Sequence, residues 1–117
     1  MKLRFISPTL HGFADYSAGI GLILMPNVLQ LGESSIMAYW LSVVTGIAVI
    51  VASSLTDYKL GIIRTIPFQG HLAIDLLVAL AFISAPLILD FNGLDAYYYV
   101  FNAAVIFTVV SLSENDY

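Results

Sequence analysis

The chain has 117 residues, 60% of them hydrophobic and only 10% charged, with a formal net charge of −4. A soluble domain carries about 25% charged residues, and a fold this small has too much surface to hide so much apolar area from water. The acidic balance excludes a basic nucleic-acid-binding face, and the absence of Cys excludes disulfides and thiolate metal sites.

Met1-Lys2-Leu3-Arg4 has the charge of a signal-peptide start. Ser7-Pro8-Thr9, His11 and Asp15 then interrupt any apolar run, and no small-residue cleavage site follows, so the N-terminus reads as retained. The second residue is Lys2 and Cys is absent, so no lipidation signal is present.

A membrane-spanning helix needs about 20 mostly apolar residues. The composition predicts four, over residues 10–31, 36–55, 68–89 and 96–112. The second and fourth contain no charged residue; the first contains His11 and Asp15, and the third His71 and Asp75. Gly32-Glu33-Ser34-Ser35 and Asp90-Phe91-Asn92-Gly93-Leu94-Asp95 read as turns. Residues 56–67 mix Asp57, Lys59 and Arg64 with Leu60, Ile62, Ile63 and Ile66, the composition of an interfacial segment. The tail, residues 113–117, is short and acidic and reads as frayed.

Lys2, Arg4, Lys59 and Arg64 are all the basic residues, and they fall before the first span or between the second and third. With four spans those regions share one side, so the positive-inside rule places both termini in the cytoplasm. Tyr39, Trp40 and Tyr97-Tyr98-Tyr99 are then expected in the aromatic belt of the outer face. Pro26 and Pro86 fall near the outer ends of spans one and three, where they kink or end a helix. Ala14-x3-Ala18 and Ser42-x3-Gly46 permit close helix contact, and Asn102 is expected to bond to a neighbouring helix.

The two halves correspond at an offset of sixty residues: Arg4 with Arg64, Ile6 with Ile66, His11 with His71, Asp15 with Asp75, Pro26 with Pro86 and Tyr39 with Tyr99. The expected fold is therefore all-α, a four-transmembrane-helix bundle of two tandem helical hairpins (about 4–55 and 64–112) within a single transmembrane domain. Two spans per unit give both units the same direction, a parallel repeat about an axis along the membrane normal.

His11-Gly12-Phe13-Ala14-Asp15-Tyr16, Thr56-Asp57-Tyr58-Lys59-Leu60-Gly61, and Ile66-Pro67 ahead of His71-Leu72 and Asp75 resemble the SPW-repeat family of small bacterial membrane proteins. Ser84-Ala85-Pro86-Leu87 stands where the family's Ser-Pro-Trp signature falls, with an Ala inserted and no Trp after Pro26 or Pro86. The resemblance covers nearly the whole chain. It implies a multi-span protein of the bacterial inner membrane and carries over no established activity and no catalytic residues.

The candidate site is the set of intramembrane ionisable groups. His11 and Asp15 are spaced i, i+4 and share a helix face, as do His71 and Asp75. Charged groups facing lipid cost about 2.5–3.5 kcal/mol on insertion scales, so both faces should turn inward and meet near the two-fold axis. Asp57 and Tyr58, at the end of the second span, are placed to close the cluster. Four readings are open: hydrogen bonds that fix helix packing, a proton or ion site in an oligomeric conduit, metal or haem ligation by His11, His71, Asp15 and Asp75, and enzyme chemistry, for which Ser17 and the tyrosines are the nearby hydroxyls. The first makes the protein an accessory or structural membrane component. The expected partners are the lipid bilayer and a homo-oligomer or larger membrane complex, without nucleic acid; no cofactor is called for.

Overall fold

The computed structural model describes residues 4–114 and is all-helical, with two isolated bridges, Ile6 to Ser113 and Thr56 to Ile66. Lys2 and residues 115–117 of the expected tail lie outside the described residues. The four helices are α1 Pro8–Val28, α2 Ile36–Ser54, α3 Phe68–Ile88 and α4 Gly93–Leu112. Pro8 occupies the first turn of α1, where its missing N–H costs nothing, and Ser7 Oγ caps the helix by accepting from Leu10 N–H at 3.2 Å. Ser35 caps α2 in the same way. α1 and α3 both end in a left-handed residue, Gln30 (φ 53°) and Asp90 (φ 58°). The next N–H then reaches back to a proline carbonyl, Leu31 to Pro26 and Phe91 to Pro86.

α2, α3 and α4 are each long and apolar enough to cross a membrane. α1 matches them in length but not in hydropathy, because His11, Asp15, Tyr16, Ser17 and Asn27 dilute its aliphatic residues. Its His11 and Asp15 are buried, and the large side chains it exposes are apolar: Leu10, Phe13, Ile20, Leu24 and Val28. The other helices expose the same kind of surface, with Val44, Ile47, Leu77, Leu87 and Phe101 all more than half exposed. So continuous an apolar exterior is not tolerated in water.

Packing is close within each hairpin. A Cβ on Gly46 would lie 2.7 Å from the Gly19 carbonyl oxygen, so α1 and α2 touch backbone to backbone there. In the second hairpin Ala79 and Ala103 are fully buried and Phe82 stacks on Tyr99 at 4.5 Å between ring centres. Between hairpins, long polar side chains reach across. At the end holding the 29–35 and 89–92 loops, Asp95 accepts from Gly32 N–H, Ser34 N–H and Ser34 Oγ. Tyr99 donates to Ala38 O at 2.7 Å. Ser42 Oγ gives its proton to Leu22 O, so Tyr98 is the donor in the 2.6 Å bond between the two hydroxyls.

Four expectations are corrected here. Tyr98 and Tyr99 are core residues, not members of an interfacial belt; of the expected belt, Tyr97 and Trp40 are the exposed members. The reason is register, since neighbouring helical residues point about 100° apart. Asp95 belongs to the first turn of α4 and is buried. Asn102 donates to Tyr98 O within its own helix. Ser113, expected in a frayed tail, is fully buried, and its strand-like pairing with Ile6 (Ile6 N–H to Leu112 O, Glu114 N–H to Ile6 O) ties the chain ends together.

Candidate functional site

At the opposite end, the first turns of α1 and α3 set two i, i+4 His–Asp pairs facing each other. His11 and His71 are essentially inaccessible, and Asp15 and Asp75 nearly so. The pairs cross-link: His11 Nε2 lies 2.8 Å from Asp75 Oδ2 and 3.1 Å from Asp15 Oδ1. His71 Nε2 lies 2.9 Å from Asp15 Oδ2 and 3.3 Å from Asp75 Oδ2. The two imidazoles are edge to face, 5.5 Å between centres. Phe68 packs edge-on against His11 at 5.3 Å, and Tyr58 lies tilted against His71 at 5.7 Å.

The outer ring nitrogens fix the tautomers. Ser113 Oγ donates to Val109 O, and Thr56 Oγ1 donates to Ala52 O, each at 2.6 Å. A hydroxyl has one proton, so toward the imidazoles both oxygens can only accept. The 2.7 Å contacts His11 Nδ1–Ser113 Oγ and His71 Nδ1–Thr56 Oγ1 are therefore Nδ1–H donations. Both Nε2 atoms are left facing the carboxylates. The two hydroxyls are delivered by equivalent devices, because Ile6 pairs with Ser113 and Ile66 with Thr56.

Of the residues singled out from the sequence, five meet here: His11, Asp15, His71, Asp75 and Tyr58, whose hydroxyl donates to Asp15 Oδ2 at 3.0 Å. Burial, and then the Asp15 carboxylate, push the Tyr58 hydroxyl well above the ordinary phenol range, so it stays a donor. Asp57 does not take part. Its side chain is exposed, and its backbone N–H bonds to Ile66 O. Gly12 makes room for the connector, since a Cβ there would sit 2.9 Å from Leu60 and 3.3 Å from Tyr58. Tyr16 fastens the same segment through Leu60 O at 2.9 Å.

Toward the middle of the bundle the carboxylates border a cavity of ≈ 70 Å³ between the hairpins. Its other walls, Leu22, Val49, Val78 and Val105 among them, are aliphatic. Four side chains in mutual contact leave no slot for a macrocycle, so the cluster does not fit a bis-His haem.

The fold and the site define a helical protein with membrane-length apolar helices and a buried centre of two imidazoles and two carboxylates. No family model, no curated protein and no solved structure matches the chain.

Proposed function

We propose that the chain is a four-span membrane protein of two tandem, like-facing hairpins, with both termini in the cytoplasm of a bacterium and the His–Asp centre in the cytoplasmic half of the inner membrane. It acts as an accessory or structural component through contacts with lipid and with other copies or larger membrane complexes. The resemblance to the SPW-repeat family belongs to this reading. α1 and α3 begin sixty residues apart and end sixty residues apart, which supports the tandem arrangement. The largely apolar exterior of α1 supports a fourth span, because His11 and Asp15 are turned inward.

The observation that carries the reading is the crossed pairing of His11 with Asp75 and His71 with Asp15. Each contact joins one hairpin to the other, so the centre is a joint. An ion conduit, the other reading of the same residues, would need polar surface continuing past the carboxylates, and the cavity walls beyond them are aliphatic. Breaking a buried ion pair by removing one charge costs about 3–5 kcal/mol. Asp15→Asn and Asp75→Asn should each lower the melting temperature of the detergent-purified protein sharply. Proteoliposomes carrying the wild type should show only background ion flux. Unchanged melting in both variants, or flux that the substitutions abolish, would overturn the reading.

A further inference from the structure

We propose that His11 Nε2, His71 Nε2 and one carboxylate oxygen each from Asp15 and Asp75 form a tetrahedral site for a divalent transition-metal ion of the zinc class. One ligand atom from each residue lies within 4.8 Å of the others, and the close His–Asp contacts run from 2.8 to 3.3 Å, with Asp75 Oδ2 meeting both rings and Asp15 meeting His11 through Oδ1 and His71 through Oδ2. Tetrahedral zinc with bonds of about 2.0–2.1 Å holds its ligands about 3.3 Å apart. To hold the ion, the short His–Asp contacts would spread by up to about half an ångström and the wider pairs, at up to 4.8 Å, would draw in toward the same spacing.

The protonation pattern points the same way. Both imidazoles carry their proton on Nδ1, committed to Ser113 and Thr56. This is the arrangement that orients metal-bound histidines, with the outer N–H held by a hydrogen-bond acceptor and Nε2 free to ligate. A neutral imidazole in this tautomer aims its Nε2 lone pair at carboxylate oxygens, which repels unless a positive charge, a second proton on the ring or a metal ion, lies among them.

The alternative is a second proton on each ring. For His11 it works, since Asp75 Oδ2 accepts from Nε2 at 2.8 Å. For His71 it holds as an ion pair but not as an aligned hydrogen bond. Nε2 is buried, and although two carboxylate oxygens lie within 3.3 Å, neither is aligned to accept a hydrogen bond from it. A proton there would be close to Asp15 Oδ2 but off line from it, a weakened hydrogen bond in a buried place; a metal ion bonds to the lone pair instead.

Charge and ligand type narrow the ion. Two carboxylates neutralise a divalent cation, so the filled site adds no net charge inside lipid. Two imidazole nitrogens disfavour Mg²⁺ and Ca²⁺, which take oxygen ligands in larger numbers. The donor set suits Zn²⁺, or Co²⁺ as its spectroscopic substitute.

The inference deepens the joint described above, because the ion would bridge the two hairpins. The test uses the full-length protein, purified in detergent, stripped with a chelator and desalted. Zn²⁺ should bind at one equivalent per chain and survive gel filtration. Co²⁺ should give the visible absorption of a tetrahedral nitrogen–oxygen complex, bleached by Zn²⁺. His71→Gln and Asp75→Asn should abolish both signals. Ser113→Ala keeps all four ligands but frees the His11 ring, and should weaken binding about 10–100-fold. Wild-type protein that binds no Zn²⁺ saturably, or that binds it equally well in the ligand variants, would overturn the site. The wild-type titration and Co²⁺ spectrum decide the matter even if a ligand variant fails to fold. The joint is judged separately, by comparing the melting of metal-free wild type with metal-free Asp75→Asn.

Discussion

The imidazoles and carboxylates at the centre of this protein were legible because ionisable residues are rare in apolar segments, and an i, i+4 spacing puts each pair on one helix face. The hydroxyls that orient them were not. Ser and Thr are common in spans, and Ser113 meets His11 across 102 positions of sequence only because the chain ends pair. Asp57 and Tyr58 show the same limit at closer range. They are adjacent in a non-helical connector, and one faces out while the other is buried. Since Ser113 and Thr56 each accept from a buried Nδ1–H, removing the acceptor strands a donor, at a cost of about 1–3 kcal/mol. Ser113→Ala and Thr56→Val should each destabilise the detergent-purified protein by that amount in thermal melts. No change in either would mean that the imidazoles do not depend on these hydroxyls.

At the scale of elements, length and hydropathy located the helices to within about three residues, and the proline-bearing ends of α1 and α3 stop where a left-handed residue lets the chain turn. The balance of α1 was harder to read. Averaged along the sequence it is too polar to qualify as a span, yet the large side chains it exposes are apolar. Hydropathy counts residues without regard to direction, whereas the bilayer responds only to the face it touches. The α1–α2 seam offers a sharper test. Gly46→Ala would place a methyl group 2.7 Å from the Gly19 carbonyl oxygen, a backbone atom that cannot swing aside. The hairpin must then open, at about 1–3 kcal/mol. Gly21→Ala meets nothing within 4 Å and should be neutral or slightly stabilising in the same melts. Equal effects of the two substitutions would contradict the backbone contact.

For the molecule as a whole, the offset of sixty residues led to the pairs that face each other, since the proposed like-directed hairpins would set equivalent positions at equal depth. It did not predict how the hairpins are fastened at the other end, where Asp95, Tyr98 and Tyr99 reach across. These fastenings join non-equivalent positions, so no internal repeat could announce them. The joint, the metal site and the proposed role all require the polar centre to lie inside a bilayer crossed four times. The chain has no Cys of its own, so single cysteines report topology cleanly. Glu33→Cys and Asn92→Cys sit on exposed residues of the two short loops, and Asp57→Cys and Lys59→Cys on exposed residues of the long connector. With a membrane-impermeant thiol reagent on intact cells, the two loop positions should label and the two connector positions should label only after lysis. Labelling of all four positions in intact cells, or of the connector in preference to the loops, would contradict the account.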